Sequence, residues 1–122
     1  MKKYVIALPL GAALLTAWIA VGHSFVGHWR VAYGNGVTGH AVFTSNGRVE
    51  ATFDGQTWKV GGPYKVEGNT VMISDSSCGL GYWGKYRTTW YSDDSVKAVL
   101  VEDSCSGRKM NVDGSVLVRE KK

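Results

Sequence analysis

From residue 27 to residue 119 the chain never runs far before a glycine, asparagine or aspartate turn interrupts it, and this punctuation constrains the fold more than any other feature. Gly34-Asn35-Gly36, Ser45-Asn46-Gly47, Asp54-Gly55, Gly61-Gly62-Pro63, Gly68-Asn69, Ser92-Asp93-Asp94 and Val112-Asp113-Gly114 separate short runs rich in strand formers. Such turns need backbone angles or local side-chain bonds that Gly, Asn and Asp supply, so the spacing predicts an all-β domain. The runs are 27–33, 37–44, 48–53, 56–60, 64–67, 70–74, 82–91, 95–101 and 115–119, which makes about eight or nine strands. No helical periodicity is visible after residue 25.

Short loops pair sequential strands antiparallel. About eight such strands with one apolar face close most economically into an up-and-down barrel, because closure removes exposed edges. A two-sheet sandwich is the alternative that turn positions leave open. Charge decides which face is inward. In the run 82–91, Lys85 and Arg87 need water, which sends Tyr86 and Trp90 inside. The same test turns Trp29, Val31 and Tyr33 inward opposite His28 and Arg30, and Trp58 and Val60 inward opposite Thr57 and Lys59.

Ahead of the strands, Met1-Lys2-Lys3 precedes an uncharged apolar stretch from Val5 to Gly22. This is the pattern of a signal peptide, and its length also suits a retained N-terminal membrane anchor. Either outcome divides the chain into 1–22 and a single domain of 23–122, outside the cytoplasm because Lys2 and Lys3 stay inside. The expected location is the bacterial periplasm or the medium, with contact to the inner membrane only through residues 5–22. The formal charge of +4 falls to +2 without the two leader lysines, and the remaining basic residues are scattered. A nucleic-acid partner is therefore not expected.

The two cysteines, Cys78 and Cys105, meet oxidising conditions after export and are expected to form one disulfide. No histidine or carboxylate stands at ligand spacing to either, which argues against a metal pair. Metal-binding and phosphate-binding patterns are absent, and no cofactor is implied. No catalytic residues emerge either. His23, His28 and His40 are the only histidines and no nucleophile elbow accompanies them, while Asp93-Asp94 and Glu102-Asp103 read as turn residues. Asp103 and Arg108 flank Cys105, and both are assigned structural roles: the aspartate capping a turn, the arginine packing over a barrel end.

With these residues placed, the chain resembles the small bacterial lipocalin-like domains of the calycin group. The matching pieces are Gly27-His28-Trp29, Phe43-Thr44-Ser45-Asn46-Gly47, the stretch from Gly62 to Asp75, Cys78, Gly84-Lys85-Tyr86, and Asp103-Ser104-Cys105-Ser106-Gly107-Arg108. The resemblance implies an antiparallel barrel whose closed end holds a tryptophan covered by a basic residue from a late strand. Trp29 matches that tryptophan; Arg119 is the first candidate for the cover and Arg108 the second. It also implies an internal site. Ligand-carrying lipocalins are longer, so about 100 residues imply short strands and little interior room.

Three functions follow as expectations. The first is binding of a small apolar or aromatic ligand on Tyr33, Trp58, Tyr64, Tyr86 and Trp90. The second is a protein-interaction or enzyme-inhibitor module of the cell envelope, with a filled core. The third, less favoured, is a barrel enzyme of cyclase or isomerase type.

Overall fold

The computed structural model describes residues 22–54, 59–79 and 81–121. The leader expected over 1–22 lies almost wholly outside the described residues, as does Trp58. Eight antiparallel strands form a closed barrel in chain order: β1 (Gly27–Ala32), β2 (Thr38–Phe43), β3 (Arg48–Phe53), β4 (Lys59–Glu67), β5 (Thr70–Ile73), β6 (Gly84–Ser92), β7 (Ser95–Glu102) and β8 (Ser115–Arg119). Closure is made by β1 on β8, with Trp29 opposite Arg119 and Val31 opposite Leu117. The sandwich is thereby excluded.

Alternation holds on nearly every strand. Trp29 and Val31 on β1, Ala41 and Phe43 on β2, Val49 and Phe53 on β3, Val71 and Ile73 on β5, Val96 and Ala98 on β7, and Leu117 on β8 form the core with Phe25, Tyr33 and Tyr86. On β6, Lys85 and Arg87 are exposed while Tyr86 and Thr88 are buried, as their charges require.

Two sequence expectations are corrected. The runs 56–60 and 64–67 are separated on the strength of Gly61-Gly62-Pro63, but their described residues, 59–60 and 64–67, belong to one strand. β4 pairs with β3 through Lys59 to Pro63 and with β5 through Tyr64 to Glu67, so the Gly-Gly-Pro segment is where the strand passes from one neighbour to the other. Gly62 is required there because a Cβ would stand 2.2 Å from the Ser74 carbonyl oxygen. Pro63 still serves the sheet through its own carbonyl, which accepts from the Ser74 N–H at 3.0 Å.

The second correction is a helix, α1 (Ser106–Val112), where none was expected. Two turns with Gly107 near the start and no side-chain N-cap have little propensity of their own. Tertiary anchors hold it instead: Arg108 is its one buried residue, and Cys105 at its N-cap position is bonded to Cys78.

Candidate functional site

One end of the barrel is sealed. Trp29 is fully buried and donates its indole N–H to the Phe25 carbonyl at 2.7 Å. Trp90 packs edge-on against both Trp29 and Phe25, and the His23 ring stacks on Trp90 at 4.6 Å. The Arg119 guanidinium lies 4.2 Å over the Trp29 ring. It donates to the carbonyls of Val26, Ser24 and Asp93 and to the Asp94 carboxylate, so it ties the N-terminal approach to the β6–β7 turn.

The opposite end is built on a buried ionic cluster. Arg108 is 1 % exposed, and its guanidinium grips Asp103 with Nε to Oδ2 at 2.7 Å and Nη2 to Oδ1 at 3.0 Å. Nη2 also reaches the Tyr82 carbonyl at 2.6 Å, and Nη1 reaches Asp75 Oδ1 at 3.2 Å. The Tyr86 hydroxyl and the Cys105 backbone N–H complete the shell of Asp103. The disulfide Cys78–Cys105 joins the β5–β6 loop to the start of α1 beside this cluster. Gly84 makes room for it, since a Cβ there would fall 2.3 Å from Asp103 Oδ2. Gly84→Ala is expected to force Asp103 off Arg108 and to lower stability by about 1–3 kcal/mol, the usual cost of overpacking, as measured by chemical denaturation.

Burial works against the Asp103 carboxylate, but the hydrogen bonds from Arg108, Tyr86 and the Cys105 N–H outweigh it and hold its pKa below the ordinary value. The Arg108 pKa is raised: burial opposes the charge, and Asp103 more than restores it. Burial first, and then the bond to Asp103, push the Tyr86 pKa well above the ordinary value. Tyr33 is raised too, by burial and then by the charges of Asp54 and Asp75.

These shifts have opposite consequences for stability. A raised tyrosine keeps its proton in the fold while the unfolded chain releases it near pH 10, so this contribution is complete below about pH 10 and declines above it. A lowered aspartate contributes fully above the unfolded value of about 3.9 and loses that contribution as the pH falls further. The melting temperature is therefore expected to drop below about pH 4 and again above about pH 10. A melting temperature unchanged from pH 9 to pH 11.5 would contradict the buried state of Tyr33 and Tyr86.

Between the two ends lies a cavity of about 70 Å³. Its wall is almost wholly apolar, with Val31, Phe43, Val71, Ile73 and Leu117 among its members. Among the described residues three polar ones line it: Tyr33, Asp75 and Ser115. The Tyr33 hydroxyl donates to the Thr52 carbonyl at 3.0 Å, and the Ser115 hydroxyl donates to the Asn111 carbonyl at 2.9 Å. Asp75 is 7 % exposed and accepts two bonds, from Arg108 and from the Ser77 N–H, both on Oδ1. Among the described residues nothing bonds its Oδ2.

The four aromatic candidates among the described residues are dispersed rather than gathered. Tyr33 lines the cavity. Tyr86 is buried with its hydroxyl spent on Asp103, and Trp90 belongs to the sealed end. The Tyr64 ring stands against Phe43 at 4.9 Å and its hydroxyl donates to the Thr44 carbonyl at 2.9 Å. Trp58 lies outside the described residues. Asp75 and Ser115 are the polar wall residues that sequence reasoning missed, Asp75 having been placed in the loop before Cys78 and Ser115 at the start of the last strand. The signal for Asp75 was present: Val71, Ile73 and Asp75 share one parity, which carries the inward face one residue pair beyond the strand.

Neither the family models nor the curated proteins include a match to this sequence. Among solved structures, the chain is similar to the crystal structure of pallilysin from Treponema pallidum, with a TM-score of 0.54 and 14% identity. The similarity covers 94% of this chain and 99% of that chain. At that identity it speaks for the barrel fold alone.

Proposed function

We propose that the chain is an extracytoplasmic lipocalin-like barrel that holds a small apolar ligand in its interior. One observation carries the reading: an apolar cavity interrupted, among the described residues, only by Tyr33, Asp75 and Ser115, which is the usual composition of a small-molecule site. Two others support its setting. The Gly27-His28-Trp29 start places Trp29 beneath Arg119 at the sealed end, as the calycin resemblance implies. The disulfide suits an oxidising compartment.

Volume limits the ligand. The cavity, at about 70 Å³, exceeds the roughly 10–15 Å³ needed for one water yet is about half the roughly 150 Å³ that admits benzene. A slender group of a few heavy atoms fits, and a whole fatty acid or porphyrin does not. Methyl NMR of Val31, Val71, Ile73 and Leu117 tests this with xenon, propanol and decanol. Xenon and propanol are expected to shift those methyls and decanol is not. No shift with any probe would sink the proposal.

A second reading, a protein-interaction module, draws support from Tyr82 and Met110, which are 60% and 67% exposed. Both belong to segments that Arg108 holds, and a protein partner would shift their resonances rather than the interior methyls.

A further inference from the structure

We propose that the cavity selects a small primary ammonium compound, with its apolar body among Val31, Val71, Ile73 and Leu117 and its ammonium group on Asp75 Oδ2. This rests on the small-ligand reading above and adds the chemical class of the ligand.

Charge is the first argument. Asp75, Asp103 and Arg108 are joined in one buried cluster that holds two carboxylates and one guanidinium, so it carries a net negative charge. Arg108 is committed to Asp103, through two bonds of 2.7 and 3.0 Å, whereas Asp75 receives one at 3.2 Å. Asp103 is saturated: both oxygens accept two bonds each, from Arg108, Tyr86 and the Cys105 N–H. The uncompensated charge therefore resides on Asp75, the member that lines the cavity. Apolar walls cannot solvate it.

Hydrogen-bond polarity is the second argument. A carbonyl can only accept, so the bonds to Thr52 and Asn111 consume the protons of Tyr33 and Ser115. What those hydroxyls retain is lone pairs. Asp75 as a carboxylate also only accepts. Every polar side chain of the wall among the described residues thus offers acceptors and no free donor. A primary ammonium group is the complement, with three donors, a positive charge and no acceptor. A carboxylate ligand would meet like charge and no donor. An alcohol would satisfy one acceptor and bring unmatched lone pairs.

The test compares three molecules of the same carbon skeleton, n-propylammonium, 1-propanol and propionate, titrated at pH 7 against the oxidised full domain. Methyl shifts of Val71, Ile73 and Leu117 and calorimetry are the readouts. The ammonium compound is expected to bind at least about tenfold more tightly than the alcohol, as a charge-assisted hydrogen bond warrants, and propionate is expected not to bind. Asp75→Asn should reduce ammonium affinity at least about tenfold. Ala98→Val, which adds two methyl groups to the wall, should abolish methyl shifts with the ammonium compound. The three-ligand comparison uses the unaltered protein, so it decides the matter even where Asp75→Asn weakens the fold through Arg108. Alcohol binding equal to ammonium, or any preference for propionate, would overturn this inference and leave the small-ligand reading standing. Silence with all three would remove both.

Discussion

Arg108→Met is expected to lower the unfolding free energy by about 3–5 kcal/mol, the cost of leaving buried charges without their partner. The loss should read as a lower denaturant midpoint at an unchanged slope. The Asp103 side chain is 0% exposed, and without the guanidinium it keeps just the Tyr86 hydroxyl and the Cys105 N–H. Among the described residues Asp75 would retain the Ser77 N–H alone. Methionine fills much of the arginine stem's volume, so the effect isolates charge and hydrogen bonding rather than a cavity. Adding Asp103→Asn to Arg108→Met should recover part of the loss, because the most deeply buried anion is then gone. A single-variant loss under about 1 kcal/mol would mean that water reaches the cluster and that it behaves as a surface pair.

Removing the Cys78–Cys105 bond is expected to cost about 3–4 kcal/mol, since it closes a separation of 27 residues and restrains the unfolded chain. For a domain of about 100 residues this amounts to a fall of more than about 12 °C in melting temperature. Against a typical total of about 5–15 kcal/mol it is a large share. The Cys78→Ala and Cys105→Ala pair, compared with the oxidised parent, measures it. The loss should also be local. The bond holds the β5–β6 loop to the N-terminus of α1, and a helix this short has little else to keep it formed. Hydrogen exchange should accelerate in α1 and in residues 74–79, while β1 and β2 remain protected. Uniform acceleration through the barrel, or a melting temperature within about 4 °C of the parent, would contradict this placement. Because Cys105 also donates its N–H to Asp103, the cysteine pair and Arg108→Met together should cost less than their separate losses combined.

Much of the architecture was legible in the residues. Turn chemistry marked almost every strand end, and the exposed pair Lys85 and Arg87 oriented β6 correctly because an ionic group on an apolar inner face is too costly. The two misreadings share a cause. Gly61-Gly62-Pro63 carries a strong local break signal, and residues 106–112 carry a weak helix signal; in each case contacts distant in sequence prevailed, from Ser74 in one and from Asp75 and Cys78 in the other. Ligand candidates chosen by aromatic character were dispersed because an inward ring is as useful for sealing an end, as Trp90 does, as for lining a cavity.

By itself, then, the sequence determined strand alternation, every turn but the one expected at Gly61-Gly62-Pro63 among the described residues, the inward face of β6 and the cysteine pairing, all of which follow from two-residue periodicity, local backbone preference or the presence of just two thiols. Only the tertiary structure decided that Asp75, Asp103 and Arg108 share one buried cluster, and that the hydroxyl protons of Tyr33 and Ser115 are already spent. Those outcomes depend on barrel closure bringing together groups up to 33 residues apart, and on hydrogen-bond direction, which no local pattern encodes.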